Sequence, residues 1–143
     1  MLCIISCSNA DKMFQGEQLI IKNLIQDNYI EGMSNNGDFD KMDLVFHPQF
    51  VMTGLSKKNQ LWRWNYNQLK DYYTTVKANG SVPIKNDDKI TANIITIDVN
   101  GYLAIVKLQI YHGSKLAYID YLSLMKFDDG WKITGKIFYS LPE

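Results

Sequence analysis

The sequence predicts an α+β fold in which helices come first and a mostly antiparallel sheet follows. Apolar residues recur at helical spacing through residues 17–33, and from residue 90 onward strand-like runs alternate with short turns. Helices followed by consecutive strands are typical of α+β domains, whereas helices and strands alternate along the chain in α/β domains. The chain has 143 residues, enough for one domain with a sizeable core. We assign that domain to residues 17–143.

Three helices are predicted in the N-terminal half. The first spans 17–33 and ends where Ser34-Asn35-Asn36-Gly37 tolerates left-handed backbone angles. Asp38 is expected to cap a short second helix that stops near Phe46, because the residue before Pro48 avoids helical angles. Asn65 is expected to cap the third, which runs to Val76, and residues 50–55 and 61–64 are predicted strands between the second and third helices.

Four further strands are predicted over residues 90–99, 102–111, 116–127 and 131–139, and their turns set the register. Asn100-Gly101 is the preferred type I′ dipeptide and places Val99 opposite Tyr102. Gly113-Ser114 suits a two-residue type II′ turn. The Asp128-Asp129-Gly130 turn places Phe127 opposite Trp131.

This register assigns each side chain to one of two faces of the sheet. The apolar face, expected to pack on the helices, contains Ile95, Ile97, Val99, Tyr102, Ala104, Val106, Leu108, Tyr121, Ser123, Met125, Trp131, Ile133, Gly135 and Ile137. The opposite face contains Lys107, Asp120 and Lys136 close together. A shift of one residue near the Gly113-Ser114 turn would exchange the faces of the last two strands.

Composition narrows the classes of partner. Fifteen basic and fifteen acidic residues cancel, so the chain lacks the positive surplus with which proteins bind nucleic acid. The sequence contains no glycine-rich phosphate loop and no Cys/His cluster with zinc spacing, and the paired aspartates at 87–88 and 128–129 suit turns, so no cofactor and no metal are predicted.

Residues 1–16 are interpreted as an N-terminal extension. Ile4-Ile5-Ser6-Cys7 is similar to the end of a bacterial lipoprotein signal, but a basic start is missing and the apolar run is short. As written, the chain is expected in the cytoplasm. The alternative is a periplasmic or lipid-anchored protein, attached through Cys7, whose upstream signal start has been lost. No run approaches the roughly 20 apolar residues of a membrane helix.

Several motifs resemble the putative lumazine-binding family within the nuclear transport factor 2-like superfamily. They are Tyr29-Ile-Glu-Gly32, Phe46-His47-Pro48, Tyr118-Ile-Asp120-Tyr-Leu-Ser-Leu-Met-Lys126, Gly130-Trp-Lys-Ile133 and Lys136-Ile-Phe138, and the resemblance covers residues 17–139. It implies a cystatin-like cone whose curved sheet wraps a long helix and forms a pocket at its wide end. It also implies a homodimer and a small hydrophobic or aromatic ligand. Relatives of this fold include ketosteroid isomerases, scytalone dehydratases and polyketide cyclases.

Asp120 and His47 are the candidate catalytic residues. A carboxylate among apolar strand residues can act as a general acid or base, although Asp120 can equally form an ion pair with Lys107 or Lys136. His47 suits proton transfer near neutral pH, or it can hold the end of a helix through a hydrogen bond. A His47–Asp120 dyad is a further possibility.

The candidate ligand-binding residues are mainly aromatic, because such rings stack on flat ligands. Since strand residues alternate, only one of Trp62 and Trp64 is expected to face inward. The full set is Trp62, Tyr73, Tyr102, Tyr121 and Ser123.

Three functions remain open at this point. The first is a small-molecule-binding protein without turnover. The second is an isomerase, dehydratase or cyclase in which Asp120 or His47 moves a proton and a tyrosine stabilises an oxyanion. The third is a protein-interaction module that uses the exposed face of the sheet.

Overall fold

The computed structural model describes residues 14–143. The predicted N-terminal extension, including Cys3 and Cys7, lies largely outside this range. The helices are α1 (Glu17–Leu24), which continues directly into a π-helical segment (Ile25–Asn35), α2 (Phe39–Val45) and α3 (Tyr66–Ala78), and Asn86–Asp88 form one short 3-10 turn. The strands are β1 (Phe46–Leu55), β2 (Leu61–Asn65), β3 (Ile90–Asn100), β4 (Leu103–His112), β5 (Lys115–Phe127) and β6 (Gly130–Ser140).

The six strands form one curved sheet in the order β2-β1-β6-β5-β4-β3. Only β1 and β6 run parallel, and the other neighbours are antiparallel. The α-helices and the π-helical segment pack on one side of the sheet, which we call the inner face, and the opposite side is the outer face. The predicted α+β architecture is therefore confirmed. No helix within residues 14–143 combines the length and apolar character needed to cross a membrane.

Local sequence signals fix two of the helix starts as predicted. Asp38 accepts hydrogen bonds from the backbone N–H groups of Asp40 and Lys41 at the start of α2. Asn65 forms a reciprocal capping box with Gln68 at the start of α3. Each cap satisfies N–H groups that have no partner within the helix itself.

The first helix differs from its predicted form. It is α-helical only as far as Leu24 and π-helical from Ile25 to Asn35. Long π-helical runs are rare, and they occur frequently at functional sites. The Ser34 hydroxyl donates to the carbonyl of Tyr29, five residues earlier, at 3.0 Å. The π geometry thus places Tyr29 and Ser34 on the same side of the helix.

A bulge at Ala117 overturns the predicted faces of β5. The Gly113-Ser114 turn forms as expected, with His112 opposite Lys115, but Ile110 then pairs with Tyr118 and Ala117 is skipped. This one-residue slip turns Asp120, Leu122 and Leu124 to the inner face, where all three are buried. Tyr121, Ser123 and Met125 face outward, so their predicted place on the helix-packed face was wrong.

A second bulge, at Thr134, re-aims the end of β6. The closing turn is one residue tighter than predicted, because Phe127 pairs with Gly130 rather than with Trp131. Trp131 and Ile133 are buried as expected. After the bulge Lys136 joins the inner face, and Ile137 turns outward.

The first hairpin also closes one residue later than predicted. Val99 pairs with Ala104 and Asn100 with Leu103, so Tyr102 lies in the turn and is exposed. The partner of Val99 therefore changes by two residues, and an even change leaves the side chains of β4 on their predicted faces. Ala104, Val106 and Leu108 accordingly keep their predicted inner positions.

Candidate functional site

A cavity of about 260 Å³ lies between the helices and the inner face of the sheet. The π-helical segment, α3 and the ends of β4, β5 and β6 surround it. Tyr72 and His112 are exposed and lie at its solvent end. Its walls are mainly aromatic and aliphatic, with Met33, Tyr73, Val76, Ile110 and Tyr118 among them.

Tyr29, Asp120 and Lys136 form a polar cluster in the wall of this cavity, which Ser34, Ser81 and His112 also line. The Tyr29 hydroxyl donates to Asp120 Oδ2 at 2.6 Å, and Lys136 Nζ lies 3.0 Å from the same oxygen. Lys136 Nζ also donates to the Tyr29 hydroxyl at 2.6 Å. Only 1% of Asp120 and 15% of the Lys136 side chain are exposed. Each group therefore contacts the other two away from bulk water.

The cluster is formally neutral but not fully satisfied. Asp120 Oδ2 accepts a hydrogen bond from the Tyr29 hydroxyl and forms an ion pair with the Lys136 ammonium. Asp120 Oδ1 is buried and accepts no hydrogen bond from residues 14–143. Buried polar atoms are nearly always paired, and an exception calls for a structural or functional explanation. Asp120 Oδ1 is thus a buried acceptor without a partner among the described residues, on a side chain that lines the cavity.

Packing holds Tyr29 in this position. Its ring meets that of Phe46 edge-on, with centroids 5.9 Å apart, and Phe46 in turn contacts Phe50 and Tyr66. These rings form an inner-face layer beneath the π-helical segment. The geometry of the cluster therefore depends on the start of β1 as well as on β5 and β6.

Two tyrosines of the cavity are held in their protonated form. Burial, together with the charge and hydrogen bond of Asp120, raises the pKa of Tyr29 well above its usual value of 10.0. Burial also raises the pKa of Tyr73. At neutral pH both hydroxyls therefore remain hydrogen-bond donors.

We expect the free energy of unfolding to decrease as the pH rises above about 10. The unfolded chain then loses tyrosyl protons that the folded protein retains at Tyr29 and Tyr73, and this favours unfolding. Urea denaturation between pH 9 and 11 measures the slope. The Tyr29→Phe variant should have a shallower slope, with Tyr139→Phe on the outer face as matched control. An unchanged slope in Tyr29→Phe would contradict this assignment.

Asp120 and Tyr73 are the two predicted site residues that line the cavity. Asp120 forms an ion pair with Lys136, as one of the two predicted alternatives has it, but the pair lies on the inner face. Lys107 lies on the outer face, with its Nζ over the ring of Tyr121. His47 lies in a different depression, stacked on Phe127, and its Nδ1 accepts from the backbone N–H of Gln49. The structure does not bring His47 and Asp120 together.

The other predicted ligand-binding residues lie away from the cavity. Trp62 contacts Trp64 and Phe138, and both tryptophans pack on the core. The expectation that only one faces inward was wrong, because strand residues two positions apart share a face. Tyr102 is in an exposed turn, and Tyr121 and Ser123 line an outer-face groove.

Sequence reasoning missed Tyr29 and Lys136 as site residues. Tyr29 was counted as part of an apolar helical stripe, and nothing in an amphipathic pattern separates a core tyrosine from one that donates to a buried carboxylate. Lys136 was assigned to the wrong face. The sequence shows that Lys136 and Ile137 point to opposite faces of the strand. It does not show the bulge at Thr134, which decides that Lys136 is the one on the inner face.

The outer face has a large apolar surface. A groove of about 440 Å³ crosses it near Gly135, where the Ser123 hydroxyl contacts Thr134. Around the groove, apolar side chains from five strands are exposed. They are Leu55, Leu61, Leu103, Ile105, Tyr121, Met125, Ile137 and Tyr139.

The chain matches one family model and is similar to several solved structures. The model of the family described as putative lumazine-binding matches residues 17–139. A nuclear transport factor 2-like protein of unknown function from Shewanella baltica is 22% identical, with a TM-score of 0.67 over 87% of this chain and 92% of its own. A nuclear transport factor 2-like protein from Cytophaga hutchinsonii is 10% identical, with a TM-score of 0.65 over 89% of this chain and 100% of its own.

A cystatin-like domain of unknown function from Nostoc punctiforme has a TM-score of 0.55 at 11% identity, and covers 85% of this chain and 78% of its own. At these identities the structural likeness establishes the fold alone. Among curated proteins, none matches the chain.

Proposed function

Since the chain belongs to the putative lumazine-binding family of nuclear transport factor 2-like proteins, we propose that it binds a small, partly apolar molecule in the cavity beside Tyr29, Asp120 and Lys136. The observation that carries this proposal is a cavity with aromatic walls that meets a buried, incompletely hydrogen-bonded polar cluster. Apolar walls with a few convergent polar groups are typical of small-molecule sites.

The dimensions and lining of the cavity support a small and flat occupant. Its volume of about 260 Å³ is close to the lower end, ~300 Å³, of the usual range for ligand pockets. Tyr73 and Tyr118 provide ring surfaces on which a planar molecule can stack. A heterocycle of one or two rings suits this space better than a larger ligand.

Native mass spectrometry of the protein purified from its own host tests the proposal. We expect a retained small molecule that is lost in the Val76→Trp variant, because the larger side chain would fill space beside α3. The matched control is Thr74→Trp, on the same helix and exposed to solvent. A chain that retains no molecule and binds no planar heterocycle, lumazine included, would overturn the proposal.

A second candidate is an enzyme that transfers a proton. One contact favours it, because Asp120 lies beside the cavity within hydrogen-bond distance of a tyrosine hydroxyl, at 2.6 Å. Asp120 would accept the proton through Oδ1, and the ammonium of Lys136 would stabilise negative charge on the substrate. His47 has no part in this arrangement.

Incorporation of solvent deuterium tests this enzyme function. The retained molecule should exchange a carbon-bound hydrogen in D₂O with the unmodified protein, but not with Asp120→Asn. Binding without exchange would leave the chain as a binding protein.

We also propose that two copies associate through their outer faces. The apolar side chains around the outer groove would otherwise remain in water, and burying them is favourable. Of the charged side chains at this surface, Arg63 lines the groove, and Lys107 Nζ lies 5.6 Å from the centroid of the Tyr121 ring. In a two-fold dimer each copy would use this same surface, so the apolar side chains of both copies would be buried against each other.

Light scattering is expected to give the mass of a dimer at micromolar concentration. Ile137→Glu places a charge in the centre of the outer face, where the isoleucine is 58% exposed, and should yield monomers. The control is Leu44→Glu, which changes an exposed leucine of α2 away from the sheet. A monomeric unmodified chain would contradict the dimer and leave the outer face to a different protein partner.

A further inference from the structure

We infer that the ligand presents a neutral donor–acceptor edge, such as the N–H and C=O of a lactam or imide, to Asp120 Oδ1 and Lys136 Nζ. This inference rests on the proposed binding function and adds the class of ligand. It follows from which hydrogen-bonding positions of the cluster are used and which are open.

One acceptor position of the cluster is open. Asp120 Oδ2 is occupied by Tyr29 and Lys136, at 2.6 and 3.0 Å. Asp120 Oδ1 receives nothing from the described part of the chain, although it is buried and belongs to a residue that lines the cavity. A ligand N–H or O–H would satisfy this oxygen, and the gain is large because an ionised acceptor is involved.

One donor position is open beside it. A lysine ammonium carries three N–H groups. Within residues 14–143, Lys136 Nζ donates to the Tyr29 hydroxyl and forms an ion pair with Asp120 Oδ2. The third N–H is left for an acceptor on the ligand. Because Nζ lies 3.0 Å from the carboxylate, the open donor and the open acceptor are neighbours.

The charges of the cluster disfavour ionic ligands. A cationic ligand at Asp120 Oδ1 would lie close to the Lys136 ammonium, and an anionic ligand at Lys136 would lie close to the carboxylate. Both repulsions act in a buried site, where they are weakly screened. A neutral group that donates and accepts side by side meets neither repulsion. The Tyr29 hydroxyl is already engaged, because it donates to Asp120 Oδ2 and accepts from Lys136 Nζ.

Planarity completes the match to a lactam or imide. The N–H and C=O of such a group lie in the plane of a ring, and the cavity offers the rings of Tyr73 and Tyr118 as stacking surfaces. A flexible alcohol or a saturated sugar would use the donor and acceptor positions but not these surfaces.

Matched pairs of probes test the inference on the unmodified chain. The pairs are lumazine with 1,3-dimethyllumazine, and quinolin-2-one with its N-methyl derivative. Calorimetric titration should show that the N–H compound binds at least about tenfold more tightly, because methylation leaves Asp120 Oδ1 without its donor. Equal or tighter binding of the methylated members would overturn the inference.

The Asp120→Asn variant provides a second readout. Its carbonyl oxygen would take the place of Oδ2, where Tyr29 and Lys136 donate, so an NH₂ group would replace the open acceptor. The preference for N–H over N–methyl probes should then disappear. Asp98→Asn, an exposed change of the same type on β3, should retain it. If Asp120→Asn does not fold, the probe pairs decide the matter alone.

Failure of this inference is distinguishable from failure of the proposed function. Methylated probes that bind equally well, and are excluded by Val76→Trp, would leave the cavity as a binding site with a different ligand class. If none of the four probes binds while native mass spectrometry detects a retained molecule, the lactam class is overturned and the binding function stands.

Discussion

Replacing Lys136 by methionine is expected to lower the free energy of unfolding by about 3–5 kcal/mol, as for other buried pairs that lose one partner. Methionine preserves most of the apolar stem but removes the ammonium that contacts Asp120 and Tyr29. Asp120 is 1% exposed, so its carboxylate would remain buried without a counter-charge. Urea denaturation at pH 7 measures the change.

A double-mutant cycle separates loss of the pair from loss of packing. The combination Lys136→Met with Asp120→Asn should recover most of the lost stability, because neither buried charge then remains. Lys115→Met, in an exposed turn at the start of β5, is the matched control and should change stability by no more than about 0.5 kcal/mol. Additive effects of Lys136→Met and Asp120→Asn would contradict direct coupling.

Replacing Phe46 by alanine is expected to cost about 3–5 kcal/mol, the usual range for a buried phenylalanine. The side chain is 1% exposed and contacts the rings of Tyr29, Phe50 and Tyr66. Its removal leaves a cavity directly beneath the π-helical segment. Tyr29 would then lose the ring that sets its position, so binding of a cavity ligand should weaken together with stability.

Two measurements distinguish these effects of Phe46→Ala. Denaturation gives the stability, and titration with a cavity ligand well below the unfolding midpoint gives the affinity of the folded fraction. Leu44→Ala, at an exposed position of α2, should change neither by more than about 0.5 kcal/mol. Unchanged affinity in folded Phe46→Ala would show that Tyr29 is held by Asp120 and Lys136 alone.

Sequence reasoning predicted the elements of this fold well because their signals are local. Asn65 and Asp38 cap their helices through contacts with residues two or three positions away. The hairpin dipeptides also act locally, and Gly113-Ser114 closes β4 onto β5 as expected. Such features depend on the backbone preferences of a few neighbouring residues.

The composition of the site was predicted only in part, because faces depend on bulges. One skipped residue at Ala117 moved Asp120 from the predicted outer face to the cavity. One at Thr134 moved Lys136 to join it. A bulge leaves little trace in the local sequence, since its stability comes from packing on both sides of the sheet.

The sequence by itself determined the order of elements, the caps at Asp38 and Asn65 and the Gly113-Ser114 turn, because short-range backbone preferences and hydrophobic periodicity specify them. The family resemblance was visible as well, because motifs such as Phe46-His47-Pro48 and Gly130-Trp-Lys-Ile133 are read directly from the sequence. Only the tertiary structure decided that Tyr29, Asp120 and Lys136 meet beside one cavity, and that His47, Tyr121 and Ser123 lie elsewhere. The cluster joins residues 91 and 107 positions apart along the chain. Such contacts depend on the pairing registers of four strands together. A shift of one residue in any of these registers moves a side chain from the inner face to the outer face.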